Sequence, residues 1–306
     1  MNRPAPARGV IARWAAIVVG LATLGVAAVV LTRVIVRPMA DAISIIVNAD
    51  DVGIHRVFTD GSFAALEAGG VTTMSVITPG DDADRAMSII VQHPEWQAGV
   101  HLCLNGGWAP LTPAEQVPSL VNDRGVMWDT FEEVAANVRP EEARVEWNAQ
   151  IRKALDAGLR ITHLDSHMGC YYAQRELFIV ALELSQEYSI PMIASFVPDQ
   201  MEGMNPDLLP VASYEGIYQL PDAEETLENR AAAYHEFLAN LGPGTHYIFS
   251  HHALPDAEDP ELGDLPIRRD DFAYWTGELA AAHLAELGIT RTGTDGIRER
   301  FLSALP

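Results

Sequence analysis

Cysteine is nearly missing from this chain of 306 residues: Cys103 and Cys170 are its two thiols, which excludes a disulfide framework and leaves room for one bridge at most. Basic residues are scarce as well, 20 against 42 acidic ones, for a net charge of −22. Arg3, Arg8, Arg13, Arg33 and Arg37 all precede the first acid, Asp41, so the remainder of the chain is more acidic still. A nucleic-acid partner is disfavoured, because neutralising phosphates takes clustered Lys and Arg. No internal repeat, low-complexity tract or linker occurs after residue 42. One domain over residues 43–306 is the economical expectation.

Charge is missing altogether between Trp14 and Thr32, WAAIVVGLATLGVAAVVLT. At a helical rise of ~1.5 Å per residue such a run covers the roughly 30 Å core of a bilayer. Residues 1–42 are therefore expected to hold a cytoplasmic stub, a single transmembrane helix and a short linker. The arginines before the run favour an inside N-terminus, which leaves the domain on the outer, periplasmic or extracellular, face of the membrane. The alternative is a signal peptide cleaved near Ala40 and Ala42 and a secreted protein. A buried soluble helix is the plainest reading of the same run.

From Ile43 onward short apolar runs alternate with amphipathic stretches. ISIIVN, TTMSVIT, QAGVHLCLN, RITHLDSH, IPMIAS and THYIFSHHA read as strands. Between them, Val57–Ala68, Asp81–Gln92, Pro140–Ala157, Glu176–Tyr188, Ala223–Leu241 and Phe272–Leu287 read as helices. Asn105–Met127, rich in Gly and Pro, and Pro198–Asp222 read as loops. Strands alternating with helices demand crossovers and a parallel sheet, open or closed into a barrel: an α/β fold.

Polar clusters stand at the ends of these strands: Asn48, Asp50 and Asp51; His101 and Asn105; His163, Asp165 and His167; His246, His251 and His252. The C-terminal strand ends of a parallel α/β fold form one site-bearing face. Each cluster alone has a plain explanation. An Asp pair before a glycine makes a turn that caps a helix, and a His in an apolar strand is usually a satisfied core residue. Their coincidence is what argues for chemistry, because so many buried polar groups are costly unless a metal or a reaction organises them. An Asp with two imidazoles suits Zn²⁺, Mn²⁺, Co²⁺ or, with more water, Mg²⁺. A second Asp beside that set can take the proton of an attacking water, and a His can protonate a leaving amine.

VNADDVG, GVHLCLN, VPSLVNDRG and THLDSH together resemble the YdjC-like carbohydrate deacetylases, and RRDDFAYWTGELAAAHLAELGI is similar to that family's closing helix. The resemblance covers most of residues 43–295. It implies a distorted TIM-like (β/α) barrel that removes an N-acetyl group from an amino sugar with a divalent metal. Carried over, Asp51, His101 and His167 are the metal ligands, Asp50 the general base and His251 the general acid, with His252 as its rival. The family's metal is given as Mg²⁺, while the ligand types suit Zn²⁺ equally. Two departures stand out. Val52 replaces the usual Phe, and HMGCYY places Gly169 and Tyr171 where many relatives carry further histidines. Trp108 is either a platform for a sugar ring or a lid anchor. Asp165 either orients a ligand His or caps its loop, and Asn105 is a further candidate to support a ligand or contact the substrate. Cys103 and Cys170 are expected to pack in the core.

The expected function is thus metal-dependent removal of N-acetyl groups from an amino sugar, glycan or glycolipid. The rivals are a sugar-binding protein that kept the fold and lost turnover, and a metal-dependent hydrolase of another bond such as a phosphoester.

Overall fold

The structure is a computed structural model that describes residues 42–194, 213–216, 226–259 and 261–305. The chain divides into two units, Met1–Arg37 and Pro38–Pro306. The first, with the apolar run Trp14–Thr32, lies outside the described residues. Among the described residues no helix is long and apolar enough to cross a membrane.

The first strand, β1 (Ile43–Val52), is buried from Ile45 to its end. Such continuous burial marks a strand covered on both faces, as in parallel sheets. It leads through α1 (Arg56–Glu67) to β2 (Thr73–Val76), then through α2 (Ala83–Ile90) to β3 (Ala98–Leu102). After a long loop come α3 (Phe131–Asn137), α4 (Pro140–Asp156), β4 (Ile161–Ser166) and α5 (Arg175–Tyr188). The remaining elements are β5 (Ser213–Gly216), α6 (Leu227–Ala239), β6 (Gly244–Ser250), α7 (Leu265–Thr276), α8 (Glu278–Leu287), β7 (Thr290–Arg291) and α9 (Asp295–Ala304). Among the described residues seven strands form one sheet in the order β4-β3-β2-β1-β6-β5, with β7 on β1, and every strand pairing is parallel.

The sheet is curled. Strands β4 and β6 are separated by β3, β2 and β1. At ~4.8 Å per strand a flat sheet would hold them about 19 Å apart. Yet the Tyr247 hydroxyl on β6 donates to Asp165 Oδ2 on β4 at 2.9 Å. Two side chains bridge that gap only when the sheet folds round on itself. Among the described residues this gives a curled parallel half-barrel rather than a closed barrel.

Several expectations need correction. IPMIAS is not a full strand: among its described residues only Met192 bridges, to Leu164. The single helix expected over Phe272–Leu287 is two, α7 and α8, and begins earlier, at Leu265. Gly277 separates them, and a Cβ there would lie 2.5 Å from the Ala273 carbonyl oxygen. Helices α3 and α9 were not expected, although Thr130 and Glu133 form a reciprocal capping box at the start of α3. β5 falls within the expected loop Pro198–Asp222, most of which lies outside the described residues.

The loop after β3 is held in place by α4. Its Glu142, Glu146 and Gln150 recur every four residues on one helical face and are all buried. Glu146 accepts from the Leu111 and Thr112 amides at 3.0 and 2.8 Å, and Glu142 from the Ser119 amide at 2.7 Å. Gln150 accepts from the Cys103 amide at 3.1 Å and donates to the Cys103 carbonyl at 2.9 Å. An irregular loop has no ladder for its amides, so these side chains stand in for one.

Candidate active site

Asp50 and Asp51 are neighbours at the end of β1, and in an ideal strand their side chains would point to opposite faces. Two features prevent that. The β1–β2 register shifts between Ala49 and Val52, and Asp51 adopts a left-handed backbone with φ of 64°. For a residue with a Cβ this conformation costs roughly 1–2 kcal/mol. The kink brings both carboxylates to one imidazole: His101 Nε2 stands 3.4 Å from Asp50 Oδ2 and 3.7 Å from Asp51 Oδ1.

His101 comes from β3 and Asp165 from β4, where they are register partners. His101 Nδ1 lies 2.8 Å from Asp165 Oδ1. An ionised carboxylate only accepts, so Nδ1 donates and Nε2 is the nitrogen facing Asp50 and Asp51. His167 follows β4 directly, at the start of a short helical turn kinked at Met168 and Gly169. Its Nδ1 is 3.0 Å from Asp51 Oδ1. On the other side of Asp51, Arg268 from α7 donates through Nη2 to Oδ2 at 2.7 Å. Arg268 is itself held by Asp264, 2.6 Å from its Nε, and lies over the Phe58 ring.

Burial sets the charges. It pushes the Asp50 carboxyl up to about 8, assisted by Asp165 and Asp51 and opposed by His101. Burial would raise Asp51 too, but Arg268, His167 and His251 outweigh it and hold the carboxyl well below the usual range. Burial works against a charged His101, yet Asp165 and Asp50 prevail and raise it to about 10. Burial likewise opposes the Asp165 carboxylate, and His101 beside it brings its pKa below the ordinary value. The imidazoles of His163 and His252 are pushed down by burial to about 4 and about 3, and that of His251 well below its ordinary value.

Asp51, His101 and His167 each offer a ligand atom within 4.8 Å of the others, and so do Asp50, His101 and Asp165. The chemistry of the donors separates the two sets. The ring nitrogens of an imidazole point away from each other, and Nδ1 is committed to Asp165. Asp51 and His167 are thus the residues that would share a cation with His101 Nε2, with Asp50 alongside. A carboxylate with two imidazoles is a fitting donor set for a divalent ion, and Asp165 is the kind of outer partner that orients a ligating His.

A model of the YdjC-like protein family matches residues 44–286. The chain belongs to the YdjC-like family. A carbohydrate deacetylase of Enterococcus faecalis is 37% identical over 152 residues, 48% of this chain and 57% of the relative. The matched stretch thus spans little more than half of that relative's length. A carbohydrate deacetylase of Thermus thermophilus is 31% identical over 240 residues, 74% of this chain and 84% of the relative. A solved structure of a proposed cellobiose-phosphate cleavage protein from Enterococcus faecalis V583 is similar with a TM-score of 0.71 and 27% identity. That likeness covers 84% of this chain and 99% of the other.

In this YdjC-like chain the late histidines separate. His251 Nε2 stands 3.6 Å from Asp51 Oδ2, at the site. The backbone amide of His251 donates to Asp271, which also accepts from Arg230 and Tyr234. His252 is fully buried, with Nε2 2.8 Å from the Ser250 hydroxyl. His246 does not join them: it pairs with Ile45 near the start of β6, and its Nε2 contacts the Gly242 carbonyl. Trp108 is half-buried with its ring centroid 5.5 Å from that of His167, so it walls the site on one side. Asn105 is buried and its Nδ2 lies 3.5 Å from the sulfur of Met168, an exposed side chain beside His167. Cys103 and Cys170 are both buried free thiols.

Sequence reasoning missed Arg268, Tyr247 and the Arg230–Asp271 pair, and also Ser75, whose hydroxyl accepts from Asn48 Nδ2 at 2.8 Å. Arg268 had a signal of a kind, since RRDDF puts charges at helical spacing. Such a run ordinarily marks a solvated face, and nothing local reveals a partner 217 residues away.

Proposed function

We propose that this chain is a metal-dependent carbohydrate deacetylase that hydrolyses the N-acetyl group of an amino sugar, glycan or glycolipid. The observation that carries the reading is the placement of Asp50 against the Asp51, His101 and His167 donor set, all contributed by C-terminal strand ends. The deacetylase relatives support the substrate class. A divalent cation held by Asp51, His101 and His167 would supply a Lewis acid that polarises an amide carbonyl and acidifies a water. The imidazole donors suit Zn²⁺, Mn²⁺ or Co²⁺ at least as well as the Mg²⁺ the resemblance implies.

The chain's own residues account for the proton traffic. Asp50 is fixed through Oδ1 by Asn48 Nδ2 at 2.6 Å, which leaves Oδ2 to accept the proton of the attacking water. Its pKa of about 8 puts the carboxyl near the pH at which it must both take and release a proton. Breaking the amide C–N bond leaves acetate and an amine that needs that proton. His251, beside Asp51 Oδ2, is the proposed donor to the amine. Burial outweighs the opposing pull of the Asp51 carboxylate and holds its imidazole well below the ordinary value. The neutral ring therefore first takes up the proton that Asp50 accepted and then passes it to the amine. Trp108 offers an apolar face to the sugar.

Elemental analysis of the purified protein and acetate release from N-acetylglucosamine oligomers, peptidoglycan and lipid-linked amino sugars test this reading. Asp51→Ala should lose the metal. Asp50→Asn should keep it and lose about 10²–10⁴-fold in turnover. Metal and sugar binding without acetate release across the panel would favour a binding protein, and phosphate release from phosphoesters would favour the other hydrolase.

A further inference from the structure

Behind His101 and Asp165 lies a buried hydrogen-bonded chain that the proposed reaction does not use. His163 projects from the same face of β4 as Asp165, two residues earlier, and both are fully buried. The Tyr247 hydroxyl lies 2.9 Å from Asp165 Oδ2 and 2.8 Å from His163 Nε2. Thr162 Oγ1 lies 2.9 Å from His163 Nδ1.

Donor counting gives this chain a direction. Asp165 is an acceptor only, so the single Tyr247 proton goes to its Oδ2. The contact between Tyr247 and His163 must then be a donation from His163 Nε2–H to the phenol oxygen. That leaves His163 Nδ1 to accept from the Thr162 hydroxyl. At the other end, Asp165 Oδ1 receives His101 Nδ1–H. Each link fixes the next, from Thr162 through His163, Tyr247 and Asp165 to His101.

The fold makes room for the chain at a specific residue. A Cβ at Gly99 would lie 2.5 Å from His163 Nε2, so the glycine two residues before His101 on β3 is what lets that ring occupy the interior. Tyr247 arrives from the far side of the curled sheet, and it therefore ties β6 to β4 at the depth of the site.

We propose that Tyr247 and His163 are positioning residues that hold Asp165 in the one orientation that commits His101 Nδ1–H and aims Nε2 at Asp50 and Asp51. This rests on the reading of His101 as a ligand, but only for its consequence in metal affinity. The first readout is solvent exchange of the His101 Nδ1 proton, followed by ¹⁵N-resolved NMR on the cation-free protein. The second is Zn²⁺ affinity by competition titration.

Tyr247→Phe removes one oxygen and keeps the ring, and should speed that exchange about fivefold, the weight of one hydrogen bond. It should also weaken Zn²⁺ binding about tenfold, as loss of an outer partner does. His163→Gln retains an N–H donor and should stay near wild type in both, whereas His163→Leu should follow Tyr247→Phe. Unchanged exchange in Tyr247→Phe overturns the inference whatever the affinity. Equal losses in His163→Gln and His163→Leu also overturn it, because they would show packing alone. A wild-type protein that takes up no Zn²⁺ would sink the metal reading, while the exchange measurement still decides the positioning role.

Discussion

Binding of a divalent cation at Asp51, His101 and His167 should release protons, and the number should fall as pH rises. In the cation-free protein His101 titrates at about 10, so at pH 7 its Nε2 carries a proton where a cation needs the lone pair. Removing that proton at about pH 7 costs about 4 kcal/mol, three pH steps of ~1.36 kcal/mol each. Asp50, at about 8, is also mostly protonated at neutral pH, and a cation alongside favours its ionised form. Uptake near pH 7 should therefore release close to two protons per ion. Above the Asp50 value of about 8 the release should fall toward one, and it should vanish above the His101 value of about 10. Affinity should climb correspondingly, about a hundredfold per pH unit near neutrality and about tenfold between about pH 8 and 10. Titration calorimetry in buffers of different ionisation enthalpy counts the protons directly. Release of less than about half a proton at pH 7, or affinity flat across that range, would refute the charge assignment. The stability of the cation-free protein carries the opposite sign. Both pKa values are raised on folding, so the stabilisation is fullest below the unfolded values and is lost as pH rises through about 8 and then about 10. Melting temperature should drop with alkaline pH, and saturating cation should reverse the drop.

Glu146→Ala leaves the Leu111 and Thr112 amides without their acceptor and should cost roughly 2–4 kcal/mol, measurable by urea denaturation. A loss below about half a kcal/mol would mean that water replaces the carboxylate. The uncharged run Trp14–Thr32 predicts that the protein sediments with membranes and resists alkaline carbonate extraction. A soluble product beginning near Ala40 or Ala42 would instead show cleavage.

Much of what a local pattern encodes was legible in the sequence, although IPMIAS reads as a strand and forms only one bridge among its described residues. β1 announces itself as an apolar run ending in two acids, and α4 by a proline start and a glycine stop. The DD, GVH and THLDSH motifs point to the side chains that meet at the site because strand ends in a parallel sheet share one face. Helix α3 was legible in principle through its Thr130 and Glu133 cap. Arg268 and Tyr247 were not, for one reason: the partner of each is distant in the chain, Asp51 for Arg268 and, across the curl, Asp165 for Tyr247. A Tyr in THYIFS satisfies the alternation of any strand, and Gly99 looks like an ordinary weak spot until the His163 ring fills its place.

The buried charges explain why Arg268 belongs among the groups that make the site. In the cation-free protein near pH 7, Asp51 and Asp165 are ionised and Asp50 is neutral, while His101 and Arg268 are positive. Among these deeply buried groups two negative charges meet two positive ones, while Asp264, the second partner of Arg268, keeps 24% of its side chain in solvent. Exchanging the protons of His101 and Asp50 for one divalent cation would remove two positive charges and restore two. The buried set would balance again, with Asp50 ionised as the proposed base requires. A monovalent ion would leave a buried negative charge. Without Arg268, an unpaired negative charge would remain in both states, beside an Asp51 backbone already in a left-handed conformation. Arg268, shared with Asp264, thus offsets the third carboxylate, and in doing so takes up Asp51 Oδ2 and leaves Oδ1 toward His101 and His167.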